Sequence, residues 1–289
     1  MFAHIWAVQP KHLFVIADGP RADRANDDTL CQPTRDVIQV DWDCDLHLKY
    51  SDEKMGCQQR IYTGLNRAFE TYDQAIILKD DCLPELSFFG FCESMLNRYA
   101  DDDAVMHISG SNFVSPKQFE HSYAFTQYST PWGWATWRRA WNRQDLQMVE
   151  FFKAPKSCRE QLGISDKAFS KLIKRLRKVH TGEVNSWAYP WLATTIASND
   201  RCLTPKGNLI SNIGFDVRST HTANPDSFFA NNLTERFDQE RCDHPDSVEL
   251  SARVNQEVFS LLFGGKYRKN RFWRKLRKLM GALRKSVRS

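Results

Sequence analysis

The chain has 289 residues, 42% of them hydrophobic and 26% charged, a balance that fits a globular domain with a sizeable core and excludes a disordered or fibrous chain. No apolar run approaches the roughly 20 residues needed to cross a bilayer. The opening MFAHIWAVQPKHLF lacks the charged start, apolar centre and small-residue cleavage site of a signal peptide, so a cytoplasmic location is expected. The net charge of +5 is uneven, because residues 266–289 hold eleven Lys or Arg and no acid, which leaves residues 1–265 net acidic.

In chain order, residues 13–17 form a short apolar run closed by Asp18-Gly19-Pro20, the pattern of a buried strand ending in a turn. Residues 37–40 are expected to be extended, and residues 46–50 alternate as a strand does. Residues 58–72 have helical spacing, with Ile61, Leu65, Ala68 and Phe69 on one face. A second buried strand over 75–78 ends in Lys79-Asp80-Asp81-Cys82, and residues 83–99 are expected to be helical with Pro84 in the first turn. Trp134, Trp137 and Trp141 fall at i, i+3 and i+7, the spacing of one helical face in the core, with Trp132 ahead of them. Residues 165–179 form a basic helix, residues 187–197 an apolar one, and residues 203–212 an extended segment interrupted by Pro-Lys-Gly. Strands and helices alternating at this pace predict an α/β fold with a mostly parallel sheet, in which ligands bind at the carboxyl ends of strands. Asp18 and the pair Asp80-Asp81 fall at such ends. Eight cysteines without a CxxC pair read as free thiols rather than a zinc site or disulfide framework.

Adjacent aspartates at a strand end suit a hard divalent cation, which neutralises a phosphate leaving group; the plainer role of such a pair is to cap the next helix. The surrounding residues favour the first role. The run Ile76 to Pro84, followed by Ser87-Phe88-Phe89 and Phe91-Cys92, resembles the EDDC-x-P-x-x-x-FF-x-FC block of bacterial GT-A nucleotide-diphospho-sugar transferases. These are relatives of the N-acetylglucosaminyltransferase I group, some labelled haemolysin-like. The likeness continues through Ile108-Ser109-Gly110-Ser111-Asn112-Phe113, the Trp132–Trp141 block, Asn208 to Phe215, and Thr220-His221-Thr222. It spans roughly residues 11–222 in order.

The resemblance implies a GT-A, Rossmann-like sheet over residues 1–265, with a donor half at about 1–115 and an acceptor half at about 116–265. It also implies a nucleotide-sugar donor, a Mn²⁺ or Mg²⁺ ion, a glycan or lipid-linked acceptor, and transfer with inversion. Carried over by motif, Asp81 and His221 would hold the metal, Asp80 would face the ribose or diphosphate, and Asp18-Gly19 would contact the nucleoside. Gly56 belongs to the loop before the next helix, and Arg60 in the first turn of that helix is placed to meet phosphate.

Three departures accompany the likeness. Lys79 stands where the family has glutamate, opposing a bound cation or salt-bridging the diphosphate itself. Ala188 stands where the family has the aspartate that serves as general base, leaving Glu183 and Asp216 as substitutes. The family's first strand, central in its sheet, has no counterpart ahead of residue 11, so an N-terminally shortened sheet is expected. The second function compatible with these departures is a catalytically inactive relative acting as a binding or membrane-associated module. In residues 266–289, Phe272, Leu276, Leu279, Met280, Leu283 and Val287 recur at helical spacing among Lys and Arg, the pattern of a basic amphipathic helix on an anionic membrane. Base-reading motifs are lacking elsewhere, so no specific nucleic-acid partner is expected.

Overall fold

The computed structural model describes residues 1–24, 26–215, 224 and 226–264. Asp216, His221 and the basic segment 266–289 lie outside the described residues.

The first third holds α1 (Phe2–Val8), β1 (His12–Ala17), α2 (Asp27–Asp36), β2 (Asp45–Tyr50), α3 (Cys57–Phe69) and β3 (Gln74–Ile77). The strands over 12–17, 45–50 and 74–77 and the helix over 57–69 form where periodicity placed them. Residues 37–40 instead follow α2 as an irregular connection with Val37 exposed. There follow β4 (Cys82–Pro84), α4 (Ser87–Arg98), β5 (Val105–Ser109), β6 (Tyr123–Thr126), β7 (Trp134–Trp137) and α5 (Arg138–Trp141). The remainder contains α6 (Val149–Lys153), α7 (Pro155–Leu162), α8 (Asp166–His180), α9 (Ala188–Ala197), β8 (Arg201–Pro205), β9 (Ile210–Asn212) and α10 (Ala252–Phe259). Helix α8 shows why its sequence is helical: Ser165 caps it by accepting from Ala168 N, Asp166 sits in the first turn, and Arg177, Lys178 and His180 sit in the last.

The class is mixed α/β, but the sheet is not mostly parallel. Five strands run in the order β3-β7-β5-β8-β6, and only β5–β8 is a parallel pair. β7 lies between β3 and β5 and runs against both, and β6 runs against β8, so helical crossovers give one parallel pair here rather than a parallel sheet. The route from β5 to β8 passes through five helices, and that pair is parallel. β1 and β2 form a separate parallel pair, and β4 pairs antiparallel with β9.

Strands β1 and β3 each leave one edge unpaired among the described residues, and the same helix, α3, packs against both. Their apolar side chains are only half-buried, whereas those of β5 and β7 are fully buried.

Two expected helical positions differ. Pro84 ends β4 instead of opening a helix, and α4 starts at Ser87. The tryptophans at 134 and 137 lie on β7, with only Trp141 in the short α5. Aromatic and β-branched residues suit a pleated, half-buried surface, and pairing with β3 and β5 on the two edges fixes Trp-Ala-Thr-Trp as a strand. The core placement stands: all three are at most 3% exposed. Alternate strand residues face opposite sides. Trp137 donates its indole N–H to Leu96 O of α4 at 3.1 Å, while Trp134 stacks on Trp187 at 5.2 Å and meets Trp191 of α9 at 5.9 Å. Helices α4 and α9 therefore cover opposite faces of the sheet. A second core joins α6 to α10, through Phe151, Phe169, Leu172, Leu176 and Val258. Among the described residues no helix is long and apolar enough to cross a membrane.

Candidate functional site

The segment after β1 is built around Asp18. Its Oδ1 accepts from Gly19 N at 3.0 Å and Met55 N at 2.8 Å. Its Oδ2 accepts from Gly56 N at 3.0 Å and pairs with Lys54 Nζ at 2.9 Å. Burial alone would raise this carboxyl, but the hydrogen bonds from Lys54, Met55, Gly19 and Gly56 outweigh it and hold the pKa below its ordinary value. Asp18 thus clamps the turn after β1 to the loop that leads into α3. Gly19 is required by that close approach: a Cβ there would lie 2.5 Å from the backbone of Glu53. Gly56 occupies the left-handed region at φ 84°, where a side chain would be strained, and hands the chain into α3.

Arg60, in the first turn of α3, is turned toward the backbone. Its guanidinium donates to the Lys49 carbonyl, and Arg35 does the same to Ser51 O at 2.7 Å, so both brace the end of β2. Burial lowers the Arg60 pKa while the charge of Asp18 works to raise it.

The strand end after β3 carries the aspartate pair. Asp80 is exposed, and Asp81 is largely buried. Asp81 Oδ2 meets Lys79 Nζ at 3.2 Å and accepts from Asn212 Nδ2 at 3.3 Å, and its Oδ1 accepts from Cys82 Sγ at 3.4 Å. Burial would lower the Lys79 pKa, but the charge of Asp81 reverses this and the net shift is upward, so Lys79 is a firm ammonium. β9 delivers Asn212 by pairing with β4, and Ile213 N closes the corner on Asp81 O at 2.9 Å.

The two strand ends meet at one place. The thiol of Cys57, first residue of α3, is raised by burial and feels the charges of Lys79, Lys54, Asp18 and Asp80 together. The charges of Lys54, Lys79 and Asp80 thus act on the start of α3, a place that favours anions.

Asp18, Gly19 and Gly56 are brought together, and Asp80 and Asp81 stand with Lys79 at the other strand end; Arg60 faces backbone. Glu183 accepts from Thr181 Oγ1 at 3.1 Å and pairs with Lys178 Nζ at 3.2 Å; these partners lower its pKa, and its side chain is 58% exposed. A carboxylate so held is a weak proton acceptor. Ala188 opens α9 and packs against the aromatic core. Trp132 sits among Phe113, Phe215 and Phe229 at 5.6–5.8 Å rather than standing clear as a platform.

Three contributors carry no pattern that single-chain reading would flag. Lys54 is one of several lysines in polar loops. Asn185 reaches from the turn before α9 to accept from Gln58 N at 2.7 Å, and Asn212 comes from a distant strand.

Of the two expected metal ligands, Asp81 is described and His221 lies outside the described residues. No three His, Cys, Asp or Glu among them are grouped to hold a metal. The Asp81 oxygen expected to bind one already faces an ammonium, and a like charge at that range opposes a second cation. A cavity of about 510 Å³ lies elsewhere, between α3 and α5, lined by Tyr62, Asn66, Arg138, Trp141 and Gln144. Its charged residues are already paired, Arg138 with Asp73 at 3.0 Å and Glu70 with Arg67, so volume alone does not make it the site. No protein-family model matches the chain, and no curated protein matches it.

Proposed function

We propose that the chain is a GT-A-type glycosyltransferase that binds a nucleotide-diphosphate sugar where β1 and β3 end at the start of α3. One observation carries this reading: the Asp18 clamp, the α3 N-terminus, Lys54, Lys79 and Asp80 converge on one exposed corner. The ordered motif likeness, from Ala17-Asp18-Gly19 through Lys79-Asp80-Asp81 to the Asn208–Gly214 segment, supports the same corner. In the transfer, an acceptor hydroxyl oxygen attacks the anomeric carbon. The bond from that carbon to the diphosphate oxygen breaks, the electron pair stays on the diphosphate, and the hydroxyl proton passes to water or a carboxylate. The protein's part is to hold the diphosphate and stabilise its developing charge. A glycan or lipid-linked acceptor fits the basic residues of 266–289, which give the chain a contact for an anionic membrane surface.

A second reading is favoured by Ala188, which stands at the position of the family's general base, and by Glu183, which is paired with Lys178. It makes the chain a binding module that holds the nucleotide sugar without turning it over. Titration calorimetry with UDP, GDP, CDP and ADP, paired with a release assay on the matching nucleotide sugars, separates the readings. Saturable binding of one diphosphate with its release from the sugar supports the transferase. Binding without release supports the module, and no binding of any of the four defeats both.

A further inference from the structure

We infer that Lys79 is the built-in counter-charge of the diphosphate, replacing a divalent metal ion at this site; the inference rests on the donor-site reading above. Lys79 follows β3, the strand on which α3 packs, by two residues, and its side chain keeps 27% of its surface open. An ammonium has three donors. Among the described residues its only acceptor is Asp81 Oδ2 at 3.2 Å, so two N–H directions remain for an incoming anion.

Asp81 is itself held from behind by Asn212 Nδ2 and Cys82 Sγ. It acts as a positioning residue that fixes the ammonium, in the way a second shell orients a metal ligand. Lys54 adds a second exposed cation at the same corner, 2.9 Å from Asp18. A phosphate oxygen that reaches Lys79 exchanges water for a charge-assisted hydrogen bond, and it does so without the three-ligand cage that the described residues do not form. In the transfer step the same ammonium meets the negative charge that arrives on the diphosphate oxygen as the sugar bond breaks.

Reversing one charge inverts the requirement. With an acid at position 79, three carboxylates crowd one strand end, and only a cation brings a diphosphate there. The test measures dissociation constants for inorganic pyrophosphate, and for whichever of UDP, GDP, CDP and ADP binds, in EDTA and in Mn²⁺. The parent, Lys79→Met and Lys79→Glu are compared, with circular dichroism as the folding control. The parent is expected to bind equally in both buffers. Lys79→Met is expected to lose roughly tenfold to a hundredfold in EDTA, the loss of one hydrogen bond to a charged group. Lys79→Glu is expected to bind only when Mn²⁺ is present. A parent that needs Mn²⁺, or a Lys79→Met protein that binds as the parent does in EDTA, overturns the inference and leaves the donor site standing. Should Lys79→Glu fail to fold, the parent and Lys79→Met decide alone. A parent that binds no diphosphate in either buffer defeats the donor-site reading itself.

Discussion

Truncating Trp134 to alanine is expected to cost about 3–5 kcal/mol of stability, the range for deleting a large buried ring. The side chain is 0% exposed and sits at the junction of four partners: His107 at 5.0 Å, Trp187 at 5.2 Å, Trp191 at 5.9 Å and Trp141 at 6.2 Å. β7 is held on both edges, by β3 and β5, so the backbone cannot collapse into the space left behind. Trp134→Phe is expected to cost far less. The indole N–H has no acceptor among the described residues, and leaving such a donor buried already costs about 1–3 kcal/mol. Phenylalanine removes that donor and keeps most of the stacking. Thermal unfolding followed by circular dichroism checks the pair: a midpoint lower by roughly 10 °C for the alanine variant and a much smaller drop for phenylalanine. Equal drops would show that the ring packing is not what the site contributes.

Asp18→Asn is expected to open the donor corner although it hardly changes the side chain's shape. Both carboxylate oxygens face donors only: Gly19 N and Met55 N on one, Gly56 N and Lys54 Nζ on the other. Whichever way an amide is turned, its NH₂ points at two donors, so flipping gives no relief. Hydrogen bonds to a charged group contribute about 1.5–3 kcal/mol each. Losing two of them at a mostly buried site is expected to lower stability by roughly 3 kcal/mol, and to weaken diphosphate binding more than tenfold by freeing the 53–56 loop. Asp18→Glu, longer by one methylene, is expected to keep the charge but misplace it, with an intermediate loss. Unfolding in urea and titration calorimetry on the same samples give both numbers; an asparagine variant that matches the parent in each would remove Asp18 from the site.

The parts legible in the sequence are those fixed by local chemistry. The apolar runs of β1 and β3, the amphipathic face of α3, and the Ser165 cap with the charge polarity of α8 each declare themselves within a dozen residues. The parts that were not legible depend on distant pairing. Trp134, Trp137 and Trp141 satisfy helical spacing, yet hydrogen bonds to β3 and β5 make the first two a strand. Pro84 suits a helix start as well as the end of β4, and only β9, more than a hundred residues on, decides between them. The direction of β6 and β7 is set by the strands they pair with, β8 for the one and β3 and β5 for the other, and their own residues do not encode it.

The site divides the same way. Asp18, Gly19 and Gly56 were visible as a strand-end acid and its glycine turns, and the structure joins them in one clamp. The aspartate pair was visible too, but the ammonium at 3.2 Å that gives Asp81 its task is a matter of geometry. Asn185 and Asn212 were invisible, because an isolated asparagine has no periodicity or spacing to mark it.

Hydrogen–deuterium exchange with and without the bound nucleoside diphosphate, in EDTA, locates the donor site directly. Protection confined to the amides of residues 17–20, 53–60 and 79–83 is the expected result, since Gly19 is bonded to Glu53 and these segments carry the proposed donor-site residues. Protection centred instead on the cavity lined by Tyr62, Arg138 and Gln144, or no protection in the three segments, would contradict it.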